Sequence, residues 1–128
     1  MKSLITEATH NTPTINFDPE KGLLEIKGKS IPENSIGFYK PVLEWLEEYL
    51  ENAAPQTNVN VHLEYFNTAS SKCLLDVFKA LDSIHKANKS KMTINWLYDE
   101  DDDDMMEAGE DYDAIISVPF NMIPVEEE

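Results

Sequence analysis

The sequence predicts an α/β fold: one domain with a mixed, largely parallel sheet, an N-terminal hairpin and flanking helices. Short segments that alternate apolar and polar residues are separated by longer segments with the period of an amphipathic helix. After the first two strand segments, each helical segment lies between two strand segments, an order that favours right-handed crossovers and parallel strands. The chain has 128 residues and 41% hydrophobic content, which is enough for one domain, residues 1–128, with its own core.

The first half of the chain predicts two strands and a helix. Residues 1–12 are polar and small, and we expect them to form a loose arm. Residues 14–17 and 23–27 predict the two strands of the hairpin, with turn-forming residues between them. Residues 39–50 place apolar side chains on one face and mainly acidic ones on the other, which predicts a helix. We expect Pro41 in the first turn of that helix, where a missing backbone N–H is tolerated.

The second half of the chain continues the alternation of strands and helices. An alternating apolar pattern predicts a strand near residues 58–66, and the amphipathic pattern after it predicts a helix near residues 70–88. Residues 92–98 predict a further strand, and residues 103–111 predict a short helix. The apolar residues between 115 and 120 predict the last strand.

The chain is strongly acidic, with a formal net charge of −15 at pH 7, ten lysines and no arginine. This charge repels nucleic acids and anionic membranes and favours partners with a basic surface, although selection for solubility alone would also account for it. The absence of arginine excludes an arginine finger and a bidentate arginine clamp on a phosphate. Residues 124–128 predict an acidic, solvated tail.

Several classes of site are excluded by the residues themselves. The single cysteine, Cys73, excludes an internal disulfide and a metal site built from several cysteines. No apolar segment reaches the length of a membrane span and residues 1–6 lack the apolar stretch of a secretory leader, so we expect a cytoplasmic protein. His10, His62 and His85 have no serine or cysteine beside them in a catalytic arrangement, and the scattered glycines cannot form a phosphate loop. We therefore expect no enzymatic activity and no cofactor.

The run Asp99–Asp104 is the acidic cluster that could bind a metal ion. Carboxylates are ligands for Mg²⁺ and Ca²⁺, but the run lacks the spacing of a calcium-binding loop, and we expect no dedicated metal site. A small metal-assisted hydrolase that uses this run is nevertheless one alternative function. A partner-facing acidic surface and a plain solvated run are the other interpretations.

A cluster of hydroxyl side chains lies where a predicted strand gives way to the next helix. The cluster consists of Thr68, Ser70 and Ser71, preceded by Asn67. A helix N-terminus has free backbone N–H groups and a positive dipole end, so a phosphate attached there would be stabilised; helix capping is the alternative role. We expect Thr68 to be exposed before the helix begins and Ser70 or Ser71 to cap it. Lys72 either pairs with the phosphate or is solvated.

Several short motifs, spread over nearly the whole chain, occur together in one known family. They are Thr12–Asp18, Pro32-Glu33-Asn34, Phe38-Tyr39 with Pro41, Trp45-Leu46 and Tyr49, the segment Tyr65–Leu74, Trp96 and Tyr98 followed by acids, and Gly109–Tyr112. In this combination the chain resembles the SiaC family of bacterial regulatory phosphoproteins. The unbroken run Asp101–Asp104 is longer than we expect of that family.

The resemblance implies a SpoIIAA-like, STAS-type fold and a reversible phosphorylation switch. In the family the acceptor is the threonine of the Asn-Thr-x-Ser-Ser turn, which is Thr68 here. A kinase of histidine-kinase-like ATPase fold modifies it, and a PP2C-type phosphatase reverses the modification. The unmodified form binds and activates a diguanylate cyclase, which links the switch to cyclic-di-GMP and biofilm formation. The resemblance thus favours a non-enzymatic switch protein over the metal-assisted hydrolase and over an acidic adaptor that is never modified.

Overall fold

The structure is a computed structural model that describes residues 1–126, and it consists of one sheet and the helices that connect its parallel strands. In chain order the elements are β1 (Leu4–Thr6), β2 (Thr14–Asp18), β3 (Leu23–Ser30), α1 (Ser35–Asn52), β4 (Gln56–Phe66), α2 (Thr68–Lys86), β5 (Lys91–Asp99), α3 (Asp103–Asp113) and β6 (Phe120–Val125).

The strands are ordered in the sheet as they are along the chain. β1, β2 and β3 pair antiparallel, whereas β3, β4, β5 and β6 pair parallel. Helices α1, α2 and α3 are the crossovers between successive parallel strands. This arrangement confirms the predicted fold class, because it combines an N-terminal hairpin with a largely parallel sheet and flanking helices.

One face of the sheet is buried under the helices. Crossovers of the same hand that advance across the sheet in one direction place their helices on one face. The strands accordingly alternate, so that Val59 and Val61 of β4 are buried while Asn58 is exposed and Asn60 is half-buried. Trp96 is the largest fully buried side chain and lies in the middle of β5. Within residues 1–126, no helix combines the length and apolar character that crossing a membrane requires.

Helix α3 packs closely against β5 because Gly109 has no side chain. A Cβ atom at Gly109 would lie 2.5 Å from Cδ1 of Trp96, closer than real contacts allow. The Trp96 indole N–H donates a hydrogen bond to the carbonyl oxygen of Met105 at 3.0 Å. These two contacts hold α3 at the carboxyl end of β5, where the acidic run begins.

The expectation of a loose arm over residues 1–12 is wrong for Leu4–Thr6. These residues form β1, and Leu4 pairs with Phe17 of β2. The indole N–H of Trp45 donates to the carbonyl oxygen of Lys2 at 2.8 Å, which fixes the preceding backbone as well. β1 is the mainly apolar segment Leu-Ile-Thr, and Leu4 packs against the core, so a short edge strand forms within a stretch whose overall composition is polar.

Helix α1 begins earlier than its apolar pattern indicates. The Asn34 side chain accepts a hydrogen bond from the backbone N–H of Gly37 at 3.0 Å, so the helix begins at Ser35. Pro41 therefore lies inside the helix and not in its first turn, which corrects the prediction for that residue.

The last strand lies further along the chain than predicted. Both the backbone N–H and the hydroxyl of Ser117 donate to Oδ1 of Asp82, at 2.9 and 2.8 Å, so Ser117 is bound to α2. The strand begins only at Phe120, and Pro124 is tolerated because β6 is an edge strand.

The acidic-tail prediction for residues 124–128 is wrong for Pro124 and Val125, because both belong to β6. Residues 127–128 lie outside the described residues.

Candidate phosphorylation site

Asn67 forms the junction between β4 and α2. Its side-chain oxygen accepts a hydrogen bond from the backbone N–H of Ser70 at 2.8 Å, which is the geometry of an N-cap. Its own backbone N–H donates to the carbonyl oxygen of Ser30 at 3.1 Å and so attaches the junction to the end of β3. The expectation that Ser70 or Ser71 would cap the helix is therefore wrong, because the asparagine immediately before the helix already occupies that position.

Thr68 is the first residue of α2, and its side chain is exposed. The sequence pattern placed it before the helix; the cap at Asn67 instead starts the helix two residues earlier than predicted. The first N–H groups of a helix have no carbonyl partner within the helix, and the N-terminal end carries partial positive charge. The first turn of α2 contains no acidic residue. An anion attached to Thr68 would therefore lie at a favourable helix pole with no carboxylate in the same turn.

Ser70 lies in a buried cluster of hydroxyl groups. The Ser30 hydroxyl donates to the Ser70 hydroxyl at 2.9 Å, and the Tyr39 hydroxyl lies 2.7 Å from that of Ser30. Ser35 approaches Ser70 to 3.3 Å. Ser30, Tyr39 and Ser70 each have 0% of their surface exposed. The cluster joins the end of β3 to the first turns of α1 and α2.

Burial raises the pKa of Tyr39 to about 12, although its hydrogen bond with Ser30 partly opposes this shift. The phenol therefore remains protonated, and because Ser30 donates to Ser70, the Tyr39 hydroxyl donates to Ser30. The hydroxyls of Tyr39, Ser30 and Ser70 therefore form a series of hydrogen bonds inside the protein. The Ser70 oxygen is consequently a structural acceptor and is not accessible to a kinase.

Ser71 and Lys72 are the other residues of the predicted phosphosite neighbourhood. The Tyr112 hydroxyl donates to the carbonyl oxygen of Ser71 at 2.9 Å and lies 3.4 Å from its hydroxyl, which attaches α3 to the first turn of α2. Burial raises the pKa of Tyr112, so this donor also remains protonated. Lys72 is exposed and lies one turn after Thr68, a spacing that places the two side chains on one face of the helix.

The acidic run is mainly a helix N-terminus. The Asp102 carboxylate accepts a hydrogen bond from the backbone N–H of Met105 at 3.0 Å and caps α3, while Asp103 and Asp104 occupy the first turn, where negative charge is favourable. In the part of the chain that the structure describes, no three His, Cys, Asp or Glu side chains are grouped to hold a metal ion. Asp102, Asp103 and Asp104 therefore have a structural role at the start of α3.

The structure brings the hydroxyl turn and the acidic run to the same end of the parallel strands. β4 and β5 pair in parallel, so the Asn67 junction and the acidic run both lie at carboxyl ends of strands. Sequence reasoning missed Ser30, Ser35 and Tyr112 as parts of this site. They are distant in sequence, and serine and tyrosine patterns give no signal of tertiary hydrogen bonding.

The chain is similar to known proteins in both sequence and overall fold. The family described as SiaC family regulatory phosphoprotein matches residues 6–125. An uncharacterised protein of Pseudomonas aeruginosa strain UCBPP-PA14 is 30% identical over 120 residues, which is 94% of each chain. The chain is also similar to the solved structure of SiaC of P. aeruginosa, with a TM-score of 0.89 and 29% identity over 98% of this chain and 100% of that one.

A further similar chain comes from the crystal structure of the diguanylate cyclase SiaD in complex with its activator SiaC from P. aeruginosa. It matches with a TM-score of 0.88 and 29% identity, over 95% of this chain and 99% of that one. These matches confirm the resemblance found in the sequence motifs. They also confirm the expectation that the chain is a regulator and not an enzyme, because the matched family is one of regulatory phosphoproteins. The chain belongs to the SiaC family of regulatory phosphoproteins.

Proposed function

We propose that this protein activates a diguanylate cyclase in its unmodified form and that phosphorylation of Thr68 switches the activation off. The observation that carries the proposal is the position of Thr68, exposed at the N-terminus of α2 in a member of a family of regulatory phosphoproteins. The partner is inferred from the related SiaC, which is the activator in the complex with SiaD.

Phosphorylation of Thr68 is compatible with an intact fold. A phosphate adds about −1.5 to −2 charges at pH 7 together with strong acceptor oxygens. At Thr68 this charge lies at the positive pole of α2, and the side chain is already solvated. The modification thus changes the surface while the buried hydroxyl cluster beneath it stays unchanged. A partner that docks on this surface would have to desolvate the phosphate, which opposes binding.

The proposal includes two enzymes that act on the site. A cognate protein kinase of histidine-kinase-like ATPase fold adds the phosphate, and a PP2C-type phosphatase removes it, as the family resemblance implies. The output is synthesis of cyclic-di-GMP and, through it, biofilm formation.

The acceptor assignment is tested by intact-mass measurement after incubation with the kinase and ATP. We expect the wild-type protein to gain one phosphate and Thr68→Ala to gain none. Ser71→Ala is the matched control, because Ser71 lies in the same turn and is only half-buried; it should be modified like the wild type. Undiminished phosphorylation of Thr68→Ala would refute the assignment.

The switch itself is tested by comparing the unmodified and phosphorylated proteins as activators of the cyclase. Only the unmodified protein should bind the cyclase and raise its rate of cyclic-di-GMP synthesis. Thr68→Asp should keep the wild-type circular dichroism spectrum and melting curve but bind weakly, although one carboxylate carries less charge than a phosphate. Equally tight binding by the phosphorylated protein would replace the switch with a constitutive adaptor.

A further inference from the structure

Two cavities that are both lined by Phe66 lie near the N-terminus of α2, the helix that begins at Thr68. The first has a volume of about 320 Å³ and lies between the end of β4 and the start of α3. The second has a volume of about 240 Å³ and lies between α2 and α3. Phe66 and Ala108 line both cavities, so the two cavities are adjacent, and we refer to them together as the Phe66 groove.

The floor of the Phe66 groove is apolar, and apolar side chains stand exposed beside it. Phe66, Ala108 and Leu75 are partly buried and pack against the core. Tyr65 and Ile115, which line opposite ends, are 57% and 55% exposed, and they are among the large apolar side chains that the protein leaves in solvent. Large apolar side chains exposed around a concave surface are typical of a site that another protein covers.

The two ends of the groove differ in charge. Three carboxylates, those of Glu64, Asp102 and Asp104, line the end between β4 and α3, and no basic residue lines that end. At the other end the lining charges are Lys72 and Asp111, which balance each other. The groove therefore has a negative end and a neutral, more apolar end.

We infer that the Phe66 groove is the docking site for a segment of the partner protein that carries apolar side chains flanked by lysine or arginine. The apolar side chains fill the neutral end over Leu75 and Ile115, and the basic side chains lie against Glu64 and Asp104. Charge complementarity selects this occupant, because the carboxylates at the negative end and the net charge of −15 would repel an acidic segment. The identity of the partner as a diguanylate cyclase rests on the proposed function; the location and chemistry of the groove do not.

The groove also accounts for the direction of the proposed switch. Added negative charge would strengthen binding if the phosphate lay among the carboxylates that face the basic side chains. Thr68 instead lies one helical turn before Lys72, which lines the neutral, apolar end. A phosphate there can pair with Lys72 and places a strongly hydrated group at the rim that apolar side chains must cross. The partner's apolar side chains would have to strip water from the phosphate in order to reach the neutral end. The phosphate therefore weakens the apolar contact and leaves the contact between carboxylates and basic side chains unchanged.

The inference is tested with two groove variants and two control variants, using the whole chain described here and the cyclase of the same organism. Ile115→Ser removes an exposed apolar side chain at the neutral end. Ile5→Ser removes one from β1, an edge strand that β2 and β3 separate from β4, and Ile5 is 69% exposed. Glu64→Gln combined with Asp104→Asn neutralises the negative end. Glu20→Gln is its control, because Glu20 is exposed in the turn between β2 and β3.

We expect Ile115→Ser to weaken cyclase binding on the order of ten-fold, as the loss of one buried apolar side chain predicts. The Glu64→Gln, Asp104→Asn variant should bind more weakly at low salt and lose much of the salt dependence of binding. Ile5→Ser and Glu20→Gln should bind like the wild type, and all variants should keep the wild-type circular dichroism spectrum. If the wild type binds the cyclase and the groove variants bind equally well, the groove is not the docking site, although the proposed function stands.

A second measurement does not depend on the cyclase. A synthetic peptide that alternates leucine and lysine is titrated into the isotopically labelled protein, and a leucine–glutamate peptide serves as the control probe. The lysine peptide should shift the backbone amide signals of Phe66, Ala108 and Ile115, and these shifts should decrease in Ile115→Ser. Shifts confined to another surface would overturn the inference. If the peptide shifts these signals while the cyclase does not bind, the groove stands and the proposed partner is wrong.

Discussion

Thr68 and Ser70 lie in the same turn of α2, yet their hydroxyl groups have opposite environments. Thr68 is exposed, whereas Ser70 is 0% exposed and accepts a hydrogen bond from Ser30. The helical rotation between the two residues separates a surface position from a core position. At the scale of single residues, the same chemical group is therefore available for modification at one position and serves only structure at the other.

Replacement of these two residues should separate modification from stability. Ser70→Ala leaves the Ser30 hydroxyl without its buried acceptor, and we expect a loss of about 1–3 kcal/mol in the free energy of unfolding. Thr68→Ala removes an exposed group and should change that free energy by less than about 0.5 kcal/mol. Urea unfolding of both variants measures the difference. Equal stability of Ser70→Ala and the wild type would show that the hydroxyl cluster contributes little.

At the scale of elements, side-chain hydrogen bonds attach α3 and the connection between α3 and β6 to helix α2. Tyr112 attaches α3 to the first turn of α2, and Asp82 attaches the connection between α3 and β6 to the same helix. Lys86 also lies 3.1 Å from the Asp82 carboxylate. Because these contacts cross from one element to another, the order of α3 and of the start of β6 depends on α2.

The Asp82 contact should make stability depend on pH. Burial raises the pKa of Asp82, but hydrogen bonds from Ser117 and the contact with Lys86 outweigh it, so the net pKa is below its ordinary value. Because this pKa is lower in the folded protein than in the unfolded chain, ionised Asp82 stabilises the fold at pH values above the unfolded pKa of about 3.9. This contribution is lost as the pH falls through the pKa of the folded protein. Asp82→Asn keeps an oxygen acceptor for Ser117 but removes the charge.

The free energy of unfolding, measured by urea at a series of pH values, should therefore differ between the wild type and Asp82→Asn near neutral pH. The difference should shrink as the pH falls below about 4. The other carboxylates titrate in both proteins and cancel in the comparison. A difference that stays constant over this range would mean that the charge of Asp82 does not contribute to folding.

At the scale of the whole molecule, a net charge of −15 on 128 residues opposes compaction. The structure describes few ion pairs to offset it: within residues 1–126 these are Lys86 with Asp82, and His62 with Asp99 at 3.7 Å, a pair that carries attraction only when the histidine is protonated. The acidic residues of the run near α3 lie exposed and close together. Their mutual repulsion is largely unscreened when salt is low.

Salt should consequently stabilise this protein. Raising the ionic strength from about 0.01 M to about 0.15 M shortens the Debye length from about 30 Å to about 8 Å and screens repulsion between exposed carboxylates. We expect the melting temperature to rise over this range, measured by circular dichroism. Sodium chloride and potassium chloride should act alike, because screening depends on ionic strength. A melting temperature that falls with salt would show that attractive surface pairs dominate.

Local hydrophobic period and turn chemistry were sufficient to predict the α/β class, the hairpin, the central helices and the location of the hydroxyl turn. The same patterns located Thr68 near a helix N-terminus. The predicted start of α2 was two residues too late, because the Asn67 cap starts the helix at Thr68. Motifs spread along the chain were sufficient to recognise the family.

The tertiary structure alone decided which hydroxyl is free and which is buried. Ser30, Ser35 and Tyr39 reach Ser70 only after β3, α1 and α2 pack together, and no local pattern encodes such long-range hydrogen bonds. The same applies to β1, which needs the edge of β2, and to the segment before β6, which Asp82 holds away from the sheet. Local periodicity reports which residues prefer burial, whereas the partners of buried polar groups are determined only when distant segments meet.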